Sequence, residues 1–333
     1  MNSHEARSLL TALQARGLVA ADAAPNAAAA AKSPPRPWYI AALLGASGWL
    51  AGGFMLGFVS LLFQPNTAGQ AAFAGALLLA AAWGLFKADR AGEFVAQLAL
   101  ALSIAGQCLM LFALNEHNHR IAAIAATVVV LQLVLVLLMP NPTHRVMSSL
   151  FAVIGWTLLL RFGLFGEPDW NAARTAAPSL PAALIGWALA WVPVGAGVAW
   201  LIRSEPAWMA RGWQPVLRPG LSGLIIGLAF ATLASQPFES FRWWRNAPVS
   251  QDWLAIWPLL SAMAALAAVA AAFALRSRAL MGACIVAVLL HVSHFYYALG
   301  ASLLLKSLLM LLMGALMLLA ARHLARSAEG DKA

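Results

Sequence analysis

The chain has 333 residues, of which 62% are hydrophobic and only 10% charged, against about 45–50% and about 25% in soluble domains. A water-soluble globule of this length has too little interior for so much apolar surface, and two cysteines in different apolar segments, Cys108 and Cys284, give neither a disulfide framework nor a zinc spacing. The net charge of +9 would suit nucleic acid, but the 21 Lys and Arg are scattered through short loops with no stripe of interleaved aromatics, so no nucleic-acid partner is expected.

In chain order, residues 1–37 come first and differ from the rest. Ser3 can cap a short helix that places Leu9, Leu10 and Leu13 on one face, with Gly17 as its stop. An Ala- and Pro-rich tether, "AAPNAAAAAKSPPRP", follows. No short apolar core with a small-residue cleavage site accompanies the basic residues, so this is not read as a secretory signal.

From Trp38 onward, apolar runs of about 20 residues, each sufficient to cross roughly 30 Å of hydrocarbon as a helix, recur at 38–63, 70–87, 92–114, 121–139, 146–165, 180–202, 219–236, 253–275, 279–298 and 301–321. The expected fold is therefore all-α: a polytopic integral membrane helical bundle of about ten transmembrane helices, with a domain at 38–322 and a tail at 323–333. Cytoplasmic loops carry an excess of Lys and Arg. With the N-terminus inside, fifteen of the 21 basic residues, from Arg7 to Lys332, fall on the cytoplasmic side. Arg120, Arg174, Arg242 and Arg245 fall outside, and Arg161 and Lys306 lie within spans. Both termini are thus expected in the cytoplasm. Glycines four apart, Gly48 with Gly52, Gly53 with Gly57 and Gly223 with Gly227, predict close helix contacts in lipid.

All twelve acidic residues lie outside the apolar core, which counts against a carboxylate ion relay. Gln97, Gln107 and Gln132 lie inside spans three and four, where their amides are expected to bond across helices; lining of a substrate path is the sharper alternative.

The stretch "HVSHFYYALGASLLLKSLLM", residues 291–310, holds a candidate polar cluster of His291, His294, Tyr296, Tyr297 and Lys306. The tyrosines suit an interfacial belt, where a ring stays in lipid and its hydroxyl reaches water. Lys306 lies about 9 Å past the turn, within the reach of a snorkelling side chain, and a buried structural or ligand-contacting role is the alternative. The histidines, with Glu116, His117 and His119 of "NEHNH", have the donor chemistry of zinc or copper sites. None has a metal motif's spacing, so no metal and no cofactor is expected. In the loop "FESFRWWRN", Arg242, Trp243, Trp244 and Arg245 form a candidate interface surface, indoles at the headgroups and guanidiniums on phosphates. A Walker loop, dinucleotide turn, nucleophile elbow and HExxH are all missing, so no catalytic residue is singled out and an enzyme is the weaker expectation.

The segments "FYYALGASLLLKSLLMLLMGALMLLAAR" at 295–322 and "PWYIAALLGASGWLAGGFMLGF" at 37–58 resemble the bacterial membrane family catalogued as domain of unknown function 4401, from Pro37 to about Arg322. The resemblance implies a multispanning inner-membrane protein with Phe295, Tyr296, Tyr297, Gly300, Lys306, Ser307 and Gly314 at family-pattern positions and no activity attached to any of them. It also implies two protein partners, a second multispanning protein encoded nearby and a small envelope protein with a GDYXXLXY motif, beside the membrane lipids that the apolar spans themselves lead us to expect. The expected role is the integral component of a cell-envelope complex. The alternatives are a transporter of a small or amphipathic solute along His291, His294, Lys306 and Gln132, and a membrane enzyme acting on lipid or glycan.

Overall fold

Long apolar runs bounded by polar or proline-containing turns satisfy their backbone most fully in lipid as helices, and the computed structural model consists of helices. It describes residues 11–16, 38–63, 67–88, 92–117, 120–166, 180–230 and 257–298, with scattered positions between 304 and 322. Residues 11–15 are helical. The long helices are α1 (Trp38–Phe63), α2 (Ala68–Ala88), α3 (Glu93–His117), α4 (Ile121–Leu138), α5 (Pro142–Phe165), α6 (Leu180–Ala210), α7 (Gln214–Phe230), α8 (Trp257–Ala274) and α9 (Arg278–Ala298). No strand occurs among the described residues. Helices α1 to α6 are each long and apolar enough to cross a membrane, and shorter apolar stretches run over Leu260–Ala274 and Arg278–Ser293. The expected tenth span is described only at positions such as Leu304, Leu308 and Leu311, which are helical and exposed.

Three boundaries differ from the sequence expectation, each for a local reason. Helix α5 begins at Pro142 instead of 146, because the Asn141 side chain accepts the His144 N–H at 3.0 Å and proline suits the first turn. This brings His144 and Arg145 into the helix. Helix α6 continues past residue 202 to Ala210, since Arg203, Ser204 and Glu205 are compatible with helix and the stop comes later. That stop is Gly212 at φ 79°, where the Trp213 N–H bonds the Trp208 carbonyl and the Gly212 N–H bonds the Met209 carbonyl, a Schellman closure. Helix α7 begins at Gln214, five residues earlier than expected, because Pro215 suits the first turn, where its missing N–H would have no helical acceptor, while Pro219 lies inside the helix and breaks one bond of its ladder.

Small residues set the packing directions. A Cβ on Gly48 would meet Phe94 O at 2.9 Å and one on Gly52 would meet Ala101 Cβ at 2.5 Å, so α1 and α3 run parallel. Gly223 abuts the Val146 carbonyl, and a Cβ on Gly227 would meet Val153 Cβ at 2.7 Å, so α5 and α7 run parallel. Gly75 and Gly106, a pair four-residue spacing does not reveal, bring α2 and α3 together, each carbonyl 2.7 Å from where the other's Cβ would be. Gly53 and Gly57 have open space around them and form no helix contact among the described residues; they belong instead to the exposed α1 face of Leu50, Phe54, Phe58 and Leu61.

Two sub-bundles result. Val59, Ala74, Leu78, Ala82, Leu102 and Ala105 form the apolar contact of α1, α2 and α3. The larger core joins α6 to α9 around the fully buried Leu221, Ile225, Ala265, Ala268, Cys284 and Ala287, with α7 at its centre. Leu135 and Met139 connect the first region to α5 through Met147. Short turns make α3, α4 and α5 alternate in direction, as they do α6 with α7 and α8 with α9.

Candidate functional site

Five polar side chains sequestered inside the bundle meet on α3, α4 and α5. Ser103 and Gln107 are four residues apart on α3, as are His144 and Ser148 on α5, so each pair lies on one helical face. Ser103 Oγ lies 2.7 Å from His144 Nε2, and Ser148 Oγ lies 3.2 Å from His144 Nδ1. Gln107 Nε2 donates to Ser103 Oγ at 3.2 Å, and Gln132 Nε2 on α4 donates to Gln107 Oε1 at 2.6 Å. Ser103 Oγ accepts from Gln107 and shares a hydrogen with His144 Nε2, the imidazole tautomer setting which partner donates there and at Ser148. The five side chains form one hydrogen-bonded chain from Gln132 to Ser148. Its starting atom, Gln132 Oε1, is buried with no donor among the described residues. The Phe86 ring meets the His144 imidazole edge-on at 5.9 Å and closes the apolar side.

A serine and a histidine at this distance have nucleophile and base geometry. Ser103 is 0% exposed and His144 1% exposed, however, and Gln107 occupies the remaining face of the hydroxyl. Neither side chain is open to a substrate among the described residues, and the arrangement ties three helices together.

Beside it, α5 supplies side chains to carbonyls that prolines leave without a partner. An N–H bonds the carbonyl four residues earlier in a helix, and proline has no N–H. Pro140, Pro193 and Pro219 therefore provide no donor to Val136, Leu189 and Pro215. Arg145 Nε donates to Val136 O at 3.1 Å, and Arg145 Nη1 donates to Pro215 O at 2.7 Å. Trp156 Nε1 donates to Leu189 O at 3.1 Å. In lipid such carbonyls must be satisfied within the protein, and α5 satisfies three of them on α4, α6 and α7. The Arg145 guanidinium is buried against these two oxygens, and that of Val136 lies at the α4 C-terminus, whose partial negative charge favours a cation. As a sequence feature Arg145 counts simply as a basic loop residue; in the fold it is an interior tie.

The other amide behaves as expected: Gln97 Oε1 accepts the Trp49 indole N–H at 3.1 Å, joining α3 to α1. Of the sequence-predicted cluster, His291 is 0% exposed and its Nε2 lies 2.9 Å from the Ala229 carbonyl of α7. This bond joins a point thirteen residues after Arg278 to one fifteen residues after Gln214, and the preceding Leu217, Leu221 and Ile225 of α7 share one core with the preceding Leu280, Cys284 and Ala287 of α9, so α7 and α9 run parallel with their starts at the same end. Gln132 and His291 belong to separate hydrogen-bonded groups, one between α3 and α4, the other between α7 and α9. His294, Tyr296 and Tyr297 lie on α9, with side chains outside the described residues. Lys306 and the Arg242, Trp243, Trp244 and Arg245 loop also lie outside them. Glu116 is exposed near the end of α3. Among the described residues no group of three or more His, Cys, Asp or Glu is arranged to hold a metal ion.

Sequence reasoning passes over Ser103, His144 and Ser148 as single polar residues, although the two i, i+4 pairs are visible in the sequence once α5 is started at Pro142. No curated protein and no solved structure matches the chain. The family model described as domain of unknown function (DUF4401) matches residues 37–327. With helices long and apolar enough to span a bilayer and a family match over most of its length, the chain is a helical membrane protein that belongs to the DUF4401 family.

Proposed function

We propose that the chain is the multispanning integral component of a bacterial inner-membrane envelope complex, with ten spans and both termini in the cytoplasm. The observation that carries this reading is how the interior polar groups are used. Gln97 with Trp49, Gln132 through Ser148, Arg145 and Trp156 all bond across helices, which suits a stable scaffold for partners. Orientation is supported by charge. Lys87, Arg203, Arg211, Arg218, Arg276 and Arg278 are exposed near one end of the bundle, while Arg120 and Arg161 lie toward the other, the asymmetry that retains an end in the cytoplasm. The contact surface on this reading comprises the outer loop of Arg242, Trp243, Trp244 and Arg245 and the hairpin containing Tyr296, Tyr297 and Lys306. The second multispanning protein and the small GDYXXLXY-motif protein implied by the family resemblance are the proposed partners.

The test is gentle detergent extraction of the tagged, full-length protein from its native membrane, followed by mass spectrometry of co-purifying proteins and small molecules. A stoichiometric membrane or periplasmic partner is expected. Partner-free protein carrying a defined solute would overturn the scaffold reading in favour of a carrier.

A further inference from the structure

We propose that the end of the bundle formed by the α6–α7 and α8–α9 turns binds the anionic headgroups of phospholipids, with Arg211, Arg276 and Arg278 as phosphate contacts and Trp213 as the interfacial anchor. The inference rests on the membrane-spanning reading and is independent of any protein partner.

Length comes first. Helix α6 has 31 residues, whereas about 20 cross the hydrocarbon. Its charged residues, Arg203 and Glu205, are near its C-terminal end, so the excess length projects there into the headgroup layer. The turn that follows is built around an aromatic group. Trp208 Nε1 donates to Ser204 Oγ at 3.1 Å, which fixes the indole. Trp208 then stacks edge-on with Trp200 at 6.1 Å and Trp213 at 5.9 Å, and the Arg211 guanidinium lies 5.6 Å from its ring centre. Trp200 and Trp213 remain 57% and 43% exposed. Indoles at the level of the headgroups with guanidiniums beside them are the chemistry that holds phosphate esters at a bilayer surface.

The α8–α9 turn reaches the same end by the parallel alignment of α7 and α9. It repeats the closure of the α6–α7 turn: the Ser277 N–H bonds Ala272 O at 3.3 Å and the Arg276 N–H bonds Phe273 O at 2.9 Å. Where the first turn uses Gly212, the second has Arg276 at φ 53°, the one non-glycine residue with positive φ among those described. Glycine adopts that conformation without steric cost and a substituted residue does not. A cation therefore occupies a position where local backbone preference favours glycine, with Arg278 two residues on, also exposed. Among the described residues of α6 to α9 the one carboxylate is Glu205, and it bonds Arg218 at 2.8 Å.

The experiment uses the intact purified protein in nonionic detergent micelles doped with phosphatidylglycerol or with phosphatidylcholine, and counts retained lipids by native mass spectrometry. The wild type is expected to retain phosphatidylglycerol preferentially. That preference should fall about fivefold for each arginine removed in Arg211→Gln, Arg276→Gly and Arg278→Gln. Arg276→Gly is the decisive variant, because glycine suits the turn: it should melt no lower than the wild type while losing lipid preference, which separates headgroup binding from folding. Equal retention of the two lipids by the wild type, or an unchanged preference across the three variants, would overturn the proposal. So would excess inorganic phosphate that competes away the retained lipid, since the ligand would then be free phosphate and not a headgroup. Failure to recover a protein partner from native membranes would strike at the scaffold reading and leave this result unaffected.

Discussion

Replacing Trp156 with Phe tests whether α5 supports the proline-containing helix beside it. The substitution retains an aromatic ring and removes the indole N–H that donates to Leu189 O at 3.1 Å. That carbonyl has no helical donor, because residue 193 is proline. Interhelical hydrogen bonds in membrane proteins contribute about 0.6 kcal/mol on average and up to about 1.7, whereas stranding a buried acceptor costs about 1–3 kcal/mol. The carbonyl lies at an exposed contact of α5 with α6, where lipid offers no replacement donor, so Trp156→Phe is expected to cost about 1–2 kcal/mol in the wild-type background. In a Pro193→Ala background the alanine N–H can reach Leu189 O, and the same change should cost about 0.5 kcal/mol or less, since the acceptor is already satisfied. The coupling, about 1 kcal/mol, is read from a four-protein double-mutant cycle by equilibrium unfolding of the detergent-solubilised protein. Equal costs of Trp156→Phe in the two backgrounds would refute the reasoning, because the indole would then be stabilising something other than the carbonyl exposed by the proline.

Arg145→Lys retains the charge but replaces a planar fork with a single ammonium, which cannot serve Val136 O and Pro215 O together. A loss of about 1.5–3 kcal/mol is expected, and wild-type thermal stability would remove the two-carbonyl role. Gly223→Ala drives a methyl group into the Val146 carbonyl and should cost at least about 1–3 kcal/mol, while Gly57→Ala, with open space around it, should be neutral or stabilise by up to about 1 kcal/mol; comparable melting temperatures for the two variants would contradict the α5–α7 contact. His144→Phe removes the centre of the hydrogen-bonded chain, with two hydrogen bonds, for an expected loss of about 1–3 kcal/mol. Gln132→Leu should cost less, because it also removes the acceptor that has no donor, and the order of the two midpoints in thermal unfolding decides between a chain centred on His144 and one anchored at Gln132.

Much of the architecture is legible along the chain because the bilayer imposes a one-dimensional rule. A run of about 20 apolar residues must become a helix, and Trp38–Phe63, flanked by Pro37 and by "QPN", begins and ends where the run does. The amides Gln97, Gln107 and Gln132 were equally readable as interhelical ties, since a polar group in lipid needs a partner whatever the fold. Identity of partner is another matter. Ser103 and His144 are 41 residues apart, Arg145 and Pro215 are 70 apart, and hydropathy contains no information about which helix faces which. Glycine spacing is ambiguous for the same reason: Gly48 and Gly52 face α3, while Gly53 and Gly57, one position round the same helix, face outward. Composition and hydropathy by themselves determined that the protein is helical and suited to a membrane, and placed most of its helices. Only the tertiary structure decided that α5 is the interior tie, because the donors it offers and the proline-orphaned carbonyls that need them come from distant segments and meet through packing.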